Sequence, residues 1–292
     1  MLYGAIEAGG TKFVCAVGNE KGELLEKAII DTTTPEKTLE QIKTFYLGKD
    51  IVACGVGSFG PIDVNKESPT YGYIMNTPKI KWQKFNLLGE LKKLLGVPLA
   101  FDSDVNVAAV GEKLLGAGRD VNSCLYMTIG TGIGAGLYVE GSTLSGLSHP
   151  EMGHILLKRH PEDSDFTGFC PFHGADCFEG LAAGPAIEKR WDKKGNELGV
   201  DHEAWRLEAY YIAQALMNYI LIVSPEKIVL GGGVMKQKQL FPLIFDELIE
   251  KLNGYLDFPQ LTRENISRYI VSPELGDEAG VKGALMTAVK ML

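Results

Sequence analysis

No run of apolar residues in this chain approaches the roughly 20 needed to cross a bilayer, and stretches such as Ile220 to Val223 are far too short. A basic region followed by an apolar stretch is missing from the N-terminus. Met1-Leu2-Tyr3-Gly4-Ala5-Ile6-Glu7 therefore reads as an opening strand rather than a secretory signal. Positive charge is in deficit: the net charge is -8, which argues against nucleic acid as a general partner. Linkers rich in Pro, Gly and Ser are lacking, as are low-complexity tracts. Cysteine is sparse, with five in 292 residues, and that odd number fits a reduced, cytoplasmic protein better than a disulfide framework.

What is abundant is glycine, 35 of 292 residues, about 12% against a typical share near 7%. Many of these glycines fall at strand ends, where backbone turns tightly or approaches a ligand. Length alone favours two domains over one. The spacing predicts strands at 2–8, 13–17, 23–30, 51–56 and 97–101. Helices are expected at 35–46, where Thr32-Thr33-Thr34-Pro35 is a cap signal, at 85–95, and from Asp104 to about Leu115.

Around Cys124 the pattern restarts, with strands at 124–129 and 133–139 flanking Gly130-Thr131-Gly132. Further strands are expected at 227–230 and 269–271, and helices at 185–193, 203–222, 240–252 and 277–290. Each half begins strand, Gly-Thr turn, strand. The expected fold is α/β, two similar domains with a cleft between them: 1–118 plus 276–292, and 119–275. Two unrelated βαβ layers are the alternative.

Several segments carry candidate chemistry. In Glu7-Ala8-Gly9-Gly10-Thr11-Lys12, backbone N–H groups, a hydroxyl and an ammonium could surround one anion, or the glycines could merely close a hairpin. The Walker A spacing is missing. In Thr128 to Gly136, glycines at 130, 132, 134 and 136 weaken strand packing, which favours a phosphate lying against Gly130-Thr131-Gly132. Gly231-Gly232-Gly233 leaves a bare strand tip for a flat ring, or a simple turn. Asp104 is either a helix N-cap or a general base for a hydroxyl.

The stretch from Glu151 to Glu179 is irregular and long, as functional loops usually are. His154, Cys170, His173 and Cys177 supply two imidazoles and two potential thiolates, enough for a closed tetrahedral zinc site. Glu151 and Glu179 flank it, a suitable clamp for a polyol. His154 could bind metal through one ring nitrogen and a sugar hydroxyl through the other.

At these residues the chain resembles the ROK family of repressors, open-reading-frame proteins and sugar kinases, and within it the bacterial fructokinase branch. The resemblance covers nearly the whole length. It runs through Glu7 to Lys12, Asp104-x-Asn106, Gly130-Thr131-Gly132-x-Gly134, Glu151-x-Gly153-His154, Cys170-Pro171-Phe172-His173-Gly174, Cys177-x-Glu179, Gly231-Gly232-Gly233, and Leu275 to Gly280. The Glu-x-Gly-His and Cys-x-Glu pair is the most specific part.

The resemblance implies two RNase-H-like domains of the actin and hexokinase kind, and a dimeric kinase dependent on ATP and magnesium. Asp104 is then the catalytic base, and Glu151, His154 and Glu179 hold the sugar. Gly9, Gly10, Thr11, Lys12, Gly130, Thr131 and Gly132 meet phosphates, and Gly184, Gly232 and Gly233 the nucleoside. His154, Cys170, His173 and Cys177 hold structural zinc. This chain has Glu7 where many relatives have Asp, Ser103 where many have Asn, and His173 where a third cysteine is usual. A repressor of the family would carry an N-terminal DNA-binding helical domain, whereas here the first strand begins at Leu2.

Overall fold

The structure, a computed structural model, describes residues Met1–Leu292. The chain forms two compact units: Met1–Asn122 with Gly136–Pro150 and Glu274–Leu292, and Ser123–Ala135 with Glu151–Pro273. In order, the elements begin β1 (Leu2–Ala8), β2 (Lys12–Gly18), β3 (Leu24–Asp31), α1 (Pro35–Tyr46), β4 (Ile51–Ser58), α2 (Leu87–Leu95), β5 (Leu99–Ser103) and α3 (Asp104–Leu115). They continue β6 (Cys124–Ile129), β7 (Ile133–Val139), β8 (Ser142–Thr143), α4 (Phe178–Ala182), α5 (Gly184–Trp191) and α6 (Ala204–Val223). Last come β9 (Lys227–Gly231), α7 (Leu240–Leu252), α8 (Ile266–Tyr269), β10 (Ile270–Val271) and α9 (Ala279–Met291).

The first sheet has the order β3-β2-β1-β4-β5, antiparallel across β3, β2 and β1 and parallel across β1, β4 and β5. The second has the order β10-β9-β6-β7-β8. Read from its other edge, that is β8-β7-β6-β9-β10, so each sheet places its strands in the same sequence of first to fifth. The repetition inferred from the two Gly-Thr turns is therefore present in the topology.

Strand alternation builds the first unit's core. Ile6 and Ala8 of β1, with Phe13, Cys15 and Val17 of β2, face a cluster containing Trp82, Leu87, Leu88 and Leu91. Tyr3, Ala5, Val14 and Ala16 face the other way, onto Val107 of α3 and Val281, Ala284, Leu285 and Ala288 of α9. A sheet covered on both faces explains why β1 and β2 read as nearly unbroken apolar runs.

The second face is lined with small residues, and α9 lies at backbone distance. A Cβ on Gly55 would come 1.8 Å from the Ala284 carbonyl oxygen, and one on Gly283 would come 1.6 Å from that of Val107. The chain entering α9 is pinned as well. The buried Glu112 carboxylate of α3 accepts the N–H groups of Ala117 (2.8 Å), Glu274 (3.2 Å) and Leu275 (2.9 Å).

In the second unit the long loop is tied to helices by a buried ion pair. Arg190 donates to both oxygens of Asp163 (2.9 and 3.1 Å) and to the Leu181 carbonyl (2.8 Å), and the Tyr211 hydroxyl donates to Asp163 (2.7 Å). Glu208 of α6 is buried nearby, with Oε1 lacking a hydrogen-bond partner. Burial holds its carboxyl well above the usual range, Arg190 opposing and Asp163 adding to the effect.

An unfolded chain releases this proton near the ordinary glutamate value, about 4.3. The folded chain keeps it to higher pH, so the fold loses stability as pH rises from the unfolded toward the folded value. Glu208→Gln should flatten the decline of Tm as pH rises above the ordinary glutamate value, about 4.3. Parallel Tm curves for parent and variant would show that Glu208 ionises normally.

Candidate active site

In the first unit the turn between β1 and β2 is closed by the Gly9 N–H donating to the Lys12 carbonyl (2.9 Å). A Cβ on Gly9 would lie 2.7 Å from that oxygen, so glycine is required. Thr32 braces the turn, donating through its hydroxyl to Gly9 (2.7 Å) and through its N–H to Thr11 (3.0 Å). Thr11 and Lys12 remain exposed. The Lys79 stem lies beside Gly10, its Cε 3.5 Å from a Cβ built there, a second cation at the turn that the sequence did not single out.

Glu7, next to last in β1, lies against the start of α9 and accepts the Val281 N–H. Burial raises its pKa, Lys12 and that hydrogen bond oppose, and the Asp277 charge adds to the rise. Its Oε2 is buried with no hydrogen-bond partner. An orphaned oxygen beside a second carboxylate suits a hydrated magnesium ion.

Asp104 is not the helix cap. Ser103 is: its hydroxyl accepts the Asn106 N–H (3.2 Å), and Asp104 becomes the first helical residue. Serine wins because Asp104 bonds back onto Val105 N–H (2.8 Å) instead of reaching the second turn position. Asp102 is fully engaged, accepting from Ser103 N–H, the Asn106 amide and the Thr143 hydroxyl, each at 2.7 Å. Of the two aspartates, Asp102 carries the bonds to Asn106 and Thr143, and Asp104 accepts the Val105 N–H. His149 is buried in the same unit, and burial lowers its pKa against the pull of Asp102.

In the second unit the structure gathers the expected metal ligands. His154, Cys170, His173 and Cys177 offer one atom each within 4.8 Å of one another. His154 Nδ1 lies 3.8 Å from Cys170 Sγ and 3.7 Å from Cys177 Sγ, and His173 Nδ1 lies 3.6 Å from Cys170 Sγ. Sulfur at about 2.3 Å and nitrogen at about 2.0–2.1 Å from a tetrahedral zinc stand roughly 3.6 Å apart. The donor set and spacing fit zinc. Burial, with Cys170 and Glu179 adding to it, pushes the Cys177 thiol up to about 12, so a cation is needed to hold it as thiolate.

The knuckle is shaped by Gly174 (φ 57°), which exchanges two backbone bonds with Cys170 (3.3 and 2.9 Å). The sequence missed α4, which starts at Phe178 and carries Glu179. Cys177 caps it, Sγ accepting the Gly180 N–H at 3.4 Å.

His154 turns its other nitrogen, Nε2, toward Glu179 Oε1 at 4.0 Å. Glu179 Oε2 accepts the Ile133 N–H (2.9 Å), immediately after the Gly130-Thr131-Gly132 turn. Glu151 is largely open to solvent, yet nearby protein and the Glu179 charge raise its pKa.

The same unit holds a cavity of about 490 Å³ lined by Gly130, Thr131, Gly184, Pro185, Gly233 and Val234. Its remaining wall is Ile187, Glu188, Lys194, Gly195, Asn196, Trp205 and Gln237. Four of the glycine-loop residues singled out for a nucleotide thus share one cavity, of a size suited to a small ligand. Gly132 and Gly232 do not line it. Gly132 packs on Glu179, and Gly232 (φ 90°) lies against the Ile129 backbone. The rest of the wall comes from α5, the turn after it, α6 and Gln237 between β9 and α7, a grouping without a local sequence signal.

Paired sheets of one strand order, each opened by a glycine hairpin, define the fold class of the two-domain actin and hexokinase-like kinases. The chain belongs to the ROK family, whose model matches residues 3–291. It is 52% identical over its whole length to a Bacillus subtilis protein named provisionally as a fructokinase, covering 96% of that protein. It is 47% identical to the fructokinase of Pediococcus pentosaceus, covering 99% of this chain and 98% of that one. The ROK hexokinase of Thermus thermophilus superposes with a TM-score of 0.80 at 27% identity, covering 100% of this chain and 99% of that one.

Proposed function

We propose that this protein is an ATP-dependent fructokinase that transfers the γ-phosphate to the 6-hydroxyl of D-fructose. The observation that carries the reading is full-length similarity to named fructokinases in a chain that has its own nucleotide-sized cavity at Gly130, Thr131, Gly184 and Gly233. Asp104, at the first turn of α3, accepts the proton of the attacking hydroxyl. Glu151, His154 and Glu179 hydrogen-bond the other hydroxyls and fix the sugar's orientation. Backbone N–H groups and side chains of Gly9 to Lys12 and of Gly130 to Gly132 position the phosphates, and Gly184, Gly232 and Gly233 bear on the nucleoside.

Magnesium entering with ATP would supply charge neutralisation on the phosphates, and Glu7 and Asp277 are the first-unit carboxylates that would hold it. Zinc held by His154, Cys170, His173 and Cys177 would shape the sugar-binding segment and leave no open coordination position. The same reading carries a cytoplasmic homodimer whose ligands are a sugar and a nucleotide, with neither nucleic acid nor membrane as partner. No helix is long and apolar enough to cross a membrane.

The test is a panel of fructose, glucose, mannose and N-acetylmannosamine in a coupled ADP assay. Fructose should show the highest kcat/KM by at least about tenfold, the discrimination that one well-placed hydroxyl contact can supply. A higher value for any other hexose would replace fructose as the substrate.

A further inference from the structure

Ile133 is the first residue after the Gly130-Thr131-Gly132 turn, and both of its backbone polar groups meet the metal-binding segment. Its N–H donates to Glu179 Oε2 at 2.9 Å. Its carbonyl lies under Gly153, where a Cβ would come within 1.9 Å, and Gly153 directly precedes His154. Gly132 also lies against the segment, since a Cβ there would stand 2.9 Å from Glu179 Oε2. A fourth contact closes the ring: the Gly184 N–H, just past the end of α4, donates to the Gly130 carbonyl at 2.7 Å.

The other oxygen of Glu179 faces His154 Nε2 at 4.0 Å, while His154 Nδ1 faces the two cysteine sulfurs. A metal-bound histidine is commonly oriented by a carboxylate on its second nitrogen. Here that carboxylate is also a ligand of the glycine turn.

We propose that Glu179 is a positioning residue that transmits the state of the zinc cluster to the nucleotide site, so that zinc occupancy sets nucleotide affinity in the absence of sugar. The inference rests on the reading of the Gly130 turn as a phosphate site. With the cluster filled, His154 is fixed, Glu179 is held between the imidazole and the Ile133 N–H, and the turn keeps its shape. With the cluster empty, the metal no longer fixes the His154 ring against Glu179, and the brace on the turn is weakened. A zinc site serving only the sugar pocket would leave nucleotide binding unchanged.

The experiment is a calorimetric titration of ADP with magnesium, without sugar, into zinc-loaded protein and into protein stripped with a zinc-selective chelator that is then removed. Metal analysis checks occupancy and circular dichroism checks the fold. The stripped parent should bind ADP about tenfold more weakly, which corresponds to about 1.4 kcal/mol. Zinc-loaded Glu179→Ala should show the same weakening and little further response to stripping, closing a thermodynamic cycle. Zinc-loaded Glu179→Gln, whose amide oxygen can still accept the Ile133 N–H, should stay within about threefold of the parent.

Equal ADP affinity in loaded and stripped parent overturns the coupling. So does a zinc effect that persists undiminished in Glu179→Ala. Should stripping unfold the chain, the loaded Glu179→Ala and Glu179→Gln proteins decide alone: equal affinity in the two overturns the proposal. Failure of the loaded parent to bind ADP at all sinks the phosphate-site reading itself, a result distinct from the others.

Discussion

Asp104→Asn should lower kcat by at least about 100-fold, or about 2.7 kcal/mol of barrier, while sugar KM and the circular dichroism spectrum change little. The substitution removes the proton acceptor and keeps size and polarity. It also leaves the helix start intact, because the cap is Ser103 and the bracing carboxylate is Asp102. Had Asp104 been the cap, its loss would have mixed helix fraying with lost chemistry. With the two separated, turnover measured in the coupled assay reads the proton transfer alone. A variant with near-parental kcat would remove Asp104 from that role.

The second large effect is expected at Cys177. It is buried, places one sulfur in the cluster of two histidines and two cysteines, and caps α4, two positions ahead of Glu179. Cys177→Ala should abolish stoichiometric zinc, lower Tm by roughly 3–5 °C, and raise the sugar KM at least about tenfold. The Tm shift is the one that about 2–3 kcal/mol produces in a protein of this size. Metal analysis separates the effects: full zinc content in the variant would exclude Cys177 as a ligand. Unchanged sugar KM in a zinc-free variant would break the link between metal and sugar.

The boundaries of most strands and helices were legible because their signals are local. Thr34 and Pro35 announce α1, and the Thr34 hydroxyl accepts the Lys37 N–H as such a cap should. The two Gly-Thr turns marked the repetition that the strand orders carry. Asp104 was visible as a helix-start residue, but the choice between Ser103 and Asp104 as cap depends on side-chain rotamers that the sequence does not specify.

Helix α4 was invisible for a different reason. Phe178–Ala182 is too short to display a helical period, and it is held by contacts to Ile155 and to the metal segment. The cavity wall formed by Lys194, Asn196, Trp205 and Gln237 comes from separate stretches that only the fold assembles. Gly153 and Gly180 likewise needed the structure. The carbonyls that forbid a larger side chain belong to Ile133 and Gly174, distant or unremarkable in sequence.

The close seat of α9 bears on how the molecule is made. Its helix fills one side of the first sheet, and the residues that build it are translated after all of the second unit. A ribosome that has released only the first 122 residues presents a sheet with that side covered by α3 alone. Autonomous folding during synthesis is thus open to the later unit before the earlier one, and nascent chains should rely on chaperones until the final 19 residues emerge.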